Sequence, residues 1–114
     1  MKREFLDSVD DMLDAIQKAR AFCADMTFES FARDDKTVYA VIHAIEVIGE
    51  AAKKIPPSVR KNNSDIPWRD IAGMRDKLVH DYFGVDLQTI WTTVREDLPV
   101  LLPLILRVRD EYSQ

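Results

Sequence analysis

VYAVIHAIEVIGEAAKKIPP, residues 38 to 57, sets apolar side chains at Val38, Val41, Ile42, Ile45, Ile48 and Ala52. Steps of three and four residues paint one stripe along an α-helix, so the segment reads as a helix with one face in a core. Asp34 or Asp35 supplies its N-cap, and Pro56-Pro57 stops it. Gly49 falls on the stripe itself. Glycine destabilises a helix interior, and its position predicts a close crossing by a neighbouring helix.

Working outward, Phe5, Val9, Met12, Leu13, Ile16, Ala19 and Cys23 repeat the same spacing and predict a long amphipathic helix from Arg3 to Ala24. TFESFARDD (27–35) is a connection with about one helical turn, and SVRKNNSDI (58–66) is a polar stretch with a short helix and a loop. Pro67 suits a first turn, with Trp68, Ile71, Ala72, Met74 and Leu78 or Val79 as the buried side of a third helix that ends before Gly84. Asp86 caps a last helix from Leu87 to about Tyr112, in which Pro99 and Pro103 are expected to bend it or to split it with Asp97 as a second cap. No alternating strand pattern is present. The expected fold is all-α: an up-and-down four-helix bundle with an extra short helix, forming a single domain over residues 1–114. LPVLLPLIL (98–106) is apolar nearly all round its helix, whereas one core covers only one side of it. A second copy of the chain is the simplest cover for the rest, so a homodimer is expected.

Of the 114 residues, 46% are hydrophobic and 32% charged, with three glycines and five prolines, a composition that supports a packed helical core and not disorder. The single cysteine, Cys23, cannot form an internal disulfide and sits on the first helix's apolar stripe as a small buried residue. The opening MKREFLDSVDDML carries acids where a secretory peptide is apolar, and the longest nearly apolar run, Leu98 to Leu106, is about half of the ~18 residues a membrane span needs. The expectation is a cytoplasmic protein with no membrane span. Net charge is −4, which speaks against broad, non-specific nucleic-acid binding, but the charge is unevenly spread. Residues 51 to 80 hold seven bases and three acids, and the first 35 residues hold five bases and nine acids. The excess either gathers positive potential near residues 75 to 83 or forms an ordinary solvated face, and the count leaves both open.

That stretch, RDKLVHDYF, brings Arg75, His80 and Tyr82 into eight residues. On a straight helix Arg75 and His80, five residues apart, point to different faces; if the helix ends near His80, the histidine can turn back toward the arginine. An arginine stays charged and offers a planar fork of donors to phosphate oxygens, and a histidine moves protons near neutral pH. Together they suffice for metal-independent cleavage of RNA, in which the 2′-hydroxyl attacks the adjacent phosphorus; DNA lacks that hydroxyl. The spacing equally fits a C-terminal helix cap, with Tyr82 and Phe83 plugging the end of the bundle. Spacing alone leaves both open.

The pattern R-x4-H-x-Y, joined to IEVIGEAAKKIP (45–56), IPWRDIAGMRDKLVHDYFGVD (66–86) and LPVLLPLI (98–105), resembles the HepT-like toxins of the HEPN superfamily of helical bundles, over nearly the whole chain. The resemblance implies a ribonuclease toxin of a two-gene (type VII) toxin-antitoxin system, dimeric, with both copies' motifs lining one cleft. It implies Arg75 and His80 as the catalytic pair and Asp76 as a supporting polar residue. Its implied partner is a minimal nucleotidyltransferase that silences the toxin by transferring AMP to Tyr82. Such a modification would set a bulky, negatively charged phosphodiester in a site that admits RNA phosphates.

His43, Glu46 and Glu50 lie on one helix, but one reversed His-x-x-Glu without a second copy is not a di-iron pattern, so no metal and no cofactor is expected. Glu46 or Glu50 is a candidate to orient Arg75, with Glu50 preferred as the supporting residue. Trp68 and Trp91 read as packing residues. Two function classes remain: an endoribonuclease, or a non-catalytic module that binds a nucleotide or docks the nucleotidyltransferase.

Overall fold

A computed structural model describes residues 2–80 and 84–113, with side chains for all of these except residues 2–4, 79 and 80. The expected stripes become helices α1 (Lys2–Cys23) and α3 (Asp35–Lys53), which pack along one another, with α2 (Phe28–Ala32) as the single turn between them. Thr27 and Ser30 cap α2 reciprocally, and Asp34 caps α3 by accepting from the Thr37 amide at 3.1 Å. The α1 residues Phe5, Val9, Met12, Leu13, Ile16, Ala19 and Cys23 are all buried, as are Val38, Val41, Ile45, Ile48 and Ala52 of α3. Burial pushes the Cys23 thiol up from its ordinary value, and the nearby Arg95 charge partly opposes this.

After Pro56 come α4 (Pro57–Asn62), α5 (Trp68–Ala72) and α6 (Met74–Leu78). The expected third helix is therefore two short ones. Gly73 ends α5 with its amide turned back to the carbonyls of Arg69 and Ile71, and the chain restarts at Met74. Gly49 explains how α5 reaches α3: a Cβ built on it would lie 3.3 Å from the Ala72 carbonyl oxygen and 3.4 Å from that of Ile71. The expected close crossing is thus a contact of helix α3 with the carbonyl end of α5.

The third helix ends at Leu78, two residues before His80. Val79–His80 (β1) and Gly84–Val85 (β2) form a two-residue antiparallel ribbon, with Val79 opposite Val85 and His80 opposite Gly84. No alternating pattern announced this ribbon, because two residues per strand are too few to show a period. Gly84 has φ +83°, a conformation that favours glycine, and the Asp86 amide donates to the Leu78 carbonyl at 2.9 Å.

The last helical rod consists of α7 (Leu87–Thr92), a π-helical turn (Thr93–Asp97) and α8 (Leu98–Tyr112). Asp86 caps it through the Thr89 amide at 3.0 Å, as expected. Asp97 is not a second cap. It has helical dihedrals and makes no side-chain cap bond, while the Leu98 amide bonds to the Thr93 carbonyl, five residues back. The wider turn ends two residues before Pro99, whose ring would press on the carbonyl four residues earlier in a regular α-helix, and so accommodates the proline without splitting the rod. Leu98, Leu101, Ile105 and Val108 of α8 are buried, and α8 lies against α1. Trp68 is buried and donates to the Asn63 carbonyl at 3.1 Å. Trp91 packs on Phe31, with ring centroids 5.3 Å apart, and carries the Arg95 guanidinium 4.9 Å above its ring. Both tryptophans serve packing.

Replacing Gly49 by leucine forces α5 off α3. The expected cost is about 1–3 kcal/mol, as for overpacked cores, read as a lower urea midpoint with an unchanged slope. The Asp34 carboxyl is held below its ordinary range, chiefly by hydrogen bonds with Thr37. A depressed carboxyl stabilises the fold above its unfolded pKa, and the contribution disappears as pH falls through the folded value. Asp34→Ala should therefore lower the urea midpoint at pH 7, with the gap from the wild type closing in acid.

Candidate active site

The site is built where α3 and the α5–α6 pair meet. Gly49 lets α5 approach, Gly73 turns the chain, and α6 then carries Arg75 and Asp76 back toward the outer face of α3. Glu46, Gly49, Glu50 and Lys53 of α3, Ala72 of α5, and Arg75 and Asp76 of α6 surround a cavity of about 280 Å³.

Arg75 Nε lies 3.6 Å from Glu46 Oε2, and Arg75 Nη1 lies 3.7 Å from Asp76 Oδ1. The Arg75 and Glu46 side chains are 41% and 45% exposed. Water screens such pairs, which contribute about 0–1 kcal/mol. Two carboxylates thus orient the guanidinium without binding it firmly, and its charge remains available to an arriving anion. The carboxylate beside Arg75 is that of Glu46. Glu50, preferred from the sequence, lines the same cavity and pairs with Lys53 at 3.1 Å. Both acids lie on one helix face, and the tertiary placement of α6 selects between them, which no local spacing encodes.

His80 lies in β1, five residues from Arg75 and beyond the end of α6, so the backbone meets the condition that the helix ends before the histidine. Its side-chain orientation lies outside what is described, and Tyr82 lies outside the described residues. His43 is exposed on α3. Among the described residues no three His, Cys, Asp or Glu side chains come together as a set of metal ligands. No described helix is long and apolar enough to cross a membrane.

A family model described as "Ribonuclease HepT-like" matches residues 12–108. A protein of Thermococcus cleftensis named "Probable ribonuclease HepT" is 48% identical over 101 residues, covering 89% of this chain and 92% of its own length. A protein of Methanocaldococcus jannaschii named "Putative RNase MJ0125" is 44% identical over 98 residues, covering 86% of this chain and 84% of its own. No solved structure matches. With Arg75 of the R-x4-H-x-Y segment at an open cavity of a helical bundle, and with this likeness spanning most of its length, the chain belongs to the HepT-like ribonuclease family.

Proposed function

We propose that the chain is a metal-independent endoribonuclease, the toxin of a toxin-antitoxin pair, with Arg75 and His80 as its catalytic residues. The observation that carries this reading is the half-exposed Arg75 guanidinium, tethered weakly by Glu46 and Asp76 at the edge of a cavity, in a chain whose relatives are named ribonucleases. In the reaction the 2′-oxygen forms a bond to the adjacent phosphorus and the bond to the 5′-oxygen breaks. One proton leaves the 2′-hydroxyl and one arrives on the departing 5′-oxygen, leaving a 2′,3′-cyclic phosphate and a 5′-hydroxyl. His80 moves protons, Arg75 meets the charge that builds on the phosphoryl oxygens, and Asp76 and Glu46 position the guanidinium. Glu50 acts from the same cavity wall by holding Lys53.

The working form is a homodimer. Val100 is 67% exposed and Leu106 40%, and an apolar groove of about 440 Å³ runs beside α8, lined by Met74 and Leu78 of α6 and by Leu101 and Leu104. The groove flanks the same short helix that carries Arg75. A second copy seated there would bring the two motifs toward one cleft, which supports the dimeric reading. The partner is a minimal nucleotidyltransferase that transfers AMP to Tyr82 and so repels and blocks the substrate strand.

Arg75→Ala and His80→Ala are each expected to abolish cleavage of RNA while light scattering still returns twice the mass of one chain. Intact RNA after long incubation with the unmodified wild-type dimer would instead favour a binding module. After co-expression with the nucleotidyltransferase, mass spectrometry should find AMP mass on the Tyr82 peptide, and Tyr82→Phe should stay unmodified and active. An adduct on another residue would overturn that assignment.

A further inference from the structure

Beside the Arg75 cavity lies a second and larger groove, of about 750 Å³, between the end of α3, helix α4 and the start of α5. Lys53, Arg60, Lys61 and Arg69 line it against the single acid Asp70. The two cavities share Lys53 and Ala72 in their walls, so one opens beside the other. Among the described residues Arg60, Lys61 and Arg69 make no ion pair, and Lys53 pairs with Glu50 at 3.1 Å on the wall shared with the Arg75 cavity.

The loop that shapes the groove is braced. Asn63 is buried, donates to the Val59 carbonyl at 3.0 Å and accepts from Arg107 at 3.2 Å, and its own carbonyl receives the Trp68 indole. The acid of the loop itself, Asp65, does not line the groove. Arg107 of α8 grips it with two bonds of 2.6 and 2.9 Å, and this holds its carboxyl below the ordinary range. The Arg60 Nε donates to the Ile55 carbonyl at 2.9 Å, which fixes where that guanidinium sits. A groove with a braced loop, four bases, one acid and the buried Trp68 in its lining, sharing wall residues with the cavity that holds Arg75, fits a polyanionic strand.

We infer that this groove binds the sugar-phosphate backbone of the RNA that flanks the cleaved bond, with Lys53, Arg60, Lys61 and Arg69 as phosphate contacts. The inference rests on the ribonuclease reading for the identity of the strand. It makes the enzyme's grip depend on substrate length: nucleotides beyond the Arg75 cavity add affinity through charge and not through base identity.

The test uses the full-length protein and a fluorescent 12-nucleotide RNA that is 2′-O-methylated throughout, which cannot be cleaved by 2′-hydroxyl attack, so binding is read apart from catalysis. The triple variant Arg60→Gln, Lys61→Gln, Arg69→Gln should bind it about tenfold or more weakly than wild type. Its affinity should also depend less on salt, the logarithmic slope falling by about 2 for three lost contacts on a single strand. Arg20→Gln, Arg33→Gln, Lys36→Gln, which removes the same charge elsewhere, should match wild type. Equal binding and equal slope for wild type and the groove variant would overturn the inference. So would a groove variant that keeps RNA affinity but loses the nucleotidyltransferase, or one whose mass by light scattering changes, since these assign the groove to a protein contact. If unmodified RNA stays intact while the binding difference holds, the nuclease reading fails and the groove stands.

Discussion

The site depends on how near two helices can come. At Gly49 the backbone of α3 lies against the carbonyl oxygens of Ile71 and Ala72, where a Cβ would stand 3.4 and 3.3 Å from them, tighter than most side-chain carbons come to backbone. Hydrogen in place of a methyl group therefore lets α5 settle this close without strain, and the short turn at Gly73 carries that placement on to α6. Arg75 then stands over Glu46, one helical turn before Gly49 on the same helix, so the contact that permits the crossing lies one turn from the carboxylate that receives the guanidinium. Helix stability is given up at one residue to fix the geometry of a charged group on another element.

The charges divide into two kinds. Arg107 with Asp65 and Arg109 with Asp10 are short pairs that join distant parts of the chain and act as fasteners. Arg75 has two carboxylates beyond 3.5 Å and substantial exposure, which orients it while leaving it free to exchange partners. The bases around the α4–α5 loop go further still, since three of them make no ion pair with any described residue. A chain of net charge −4 can in this way present a local positive surface while repelling polyanions elsewhere.

Much of this was legible in the sequence. The stripes of α1 and α3 follow from a period that burial on one face imposes, and the caps at Asp86 and at Asp34 or Asp35 follow from the amides that a helix start leaves unpaired, the fold choosing Asp34. Gly49 announced its crossing because a glycine on an apolar stripe has few other uses. The break at Gly73 was hidden, since Met74 and Leu78 continue an acceptable helical pattern across it. The π-helical turn was hidden for a related reason: Pro99 shows that a regular helix must give way, but bending, splitting and widening all satisfy it. Glu46 and Glu50 are equivalent on their own helix, and only the docking of α6 tells them apart. The basic excess of residues 51–80 was countable, but its gathering into a groove required the folded α4–α5 loop and its brace.

That brace has a consequence for the order in which the molecule is completed. Asp65 and Arg107 are 42 positions apart, so translation delivers the loop, and the motif helix after it, well before the residue that locks the loop in place. A ribosome-bound chain in which α8 has not yet emerged would hold every base of the groove yet no clamp on the segment that presents them. This surface reaches its final shape once α8 has emerged and Arg107 has closed on Asp65.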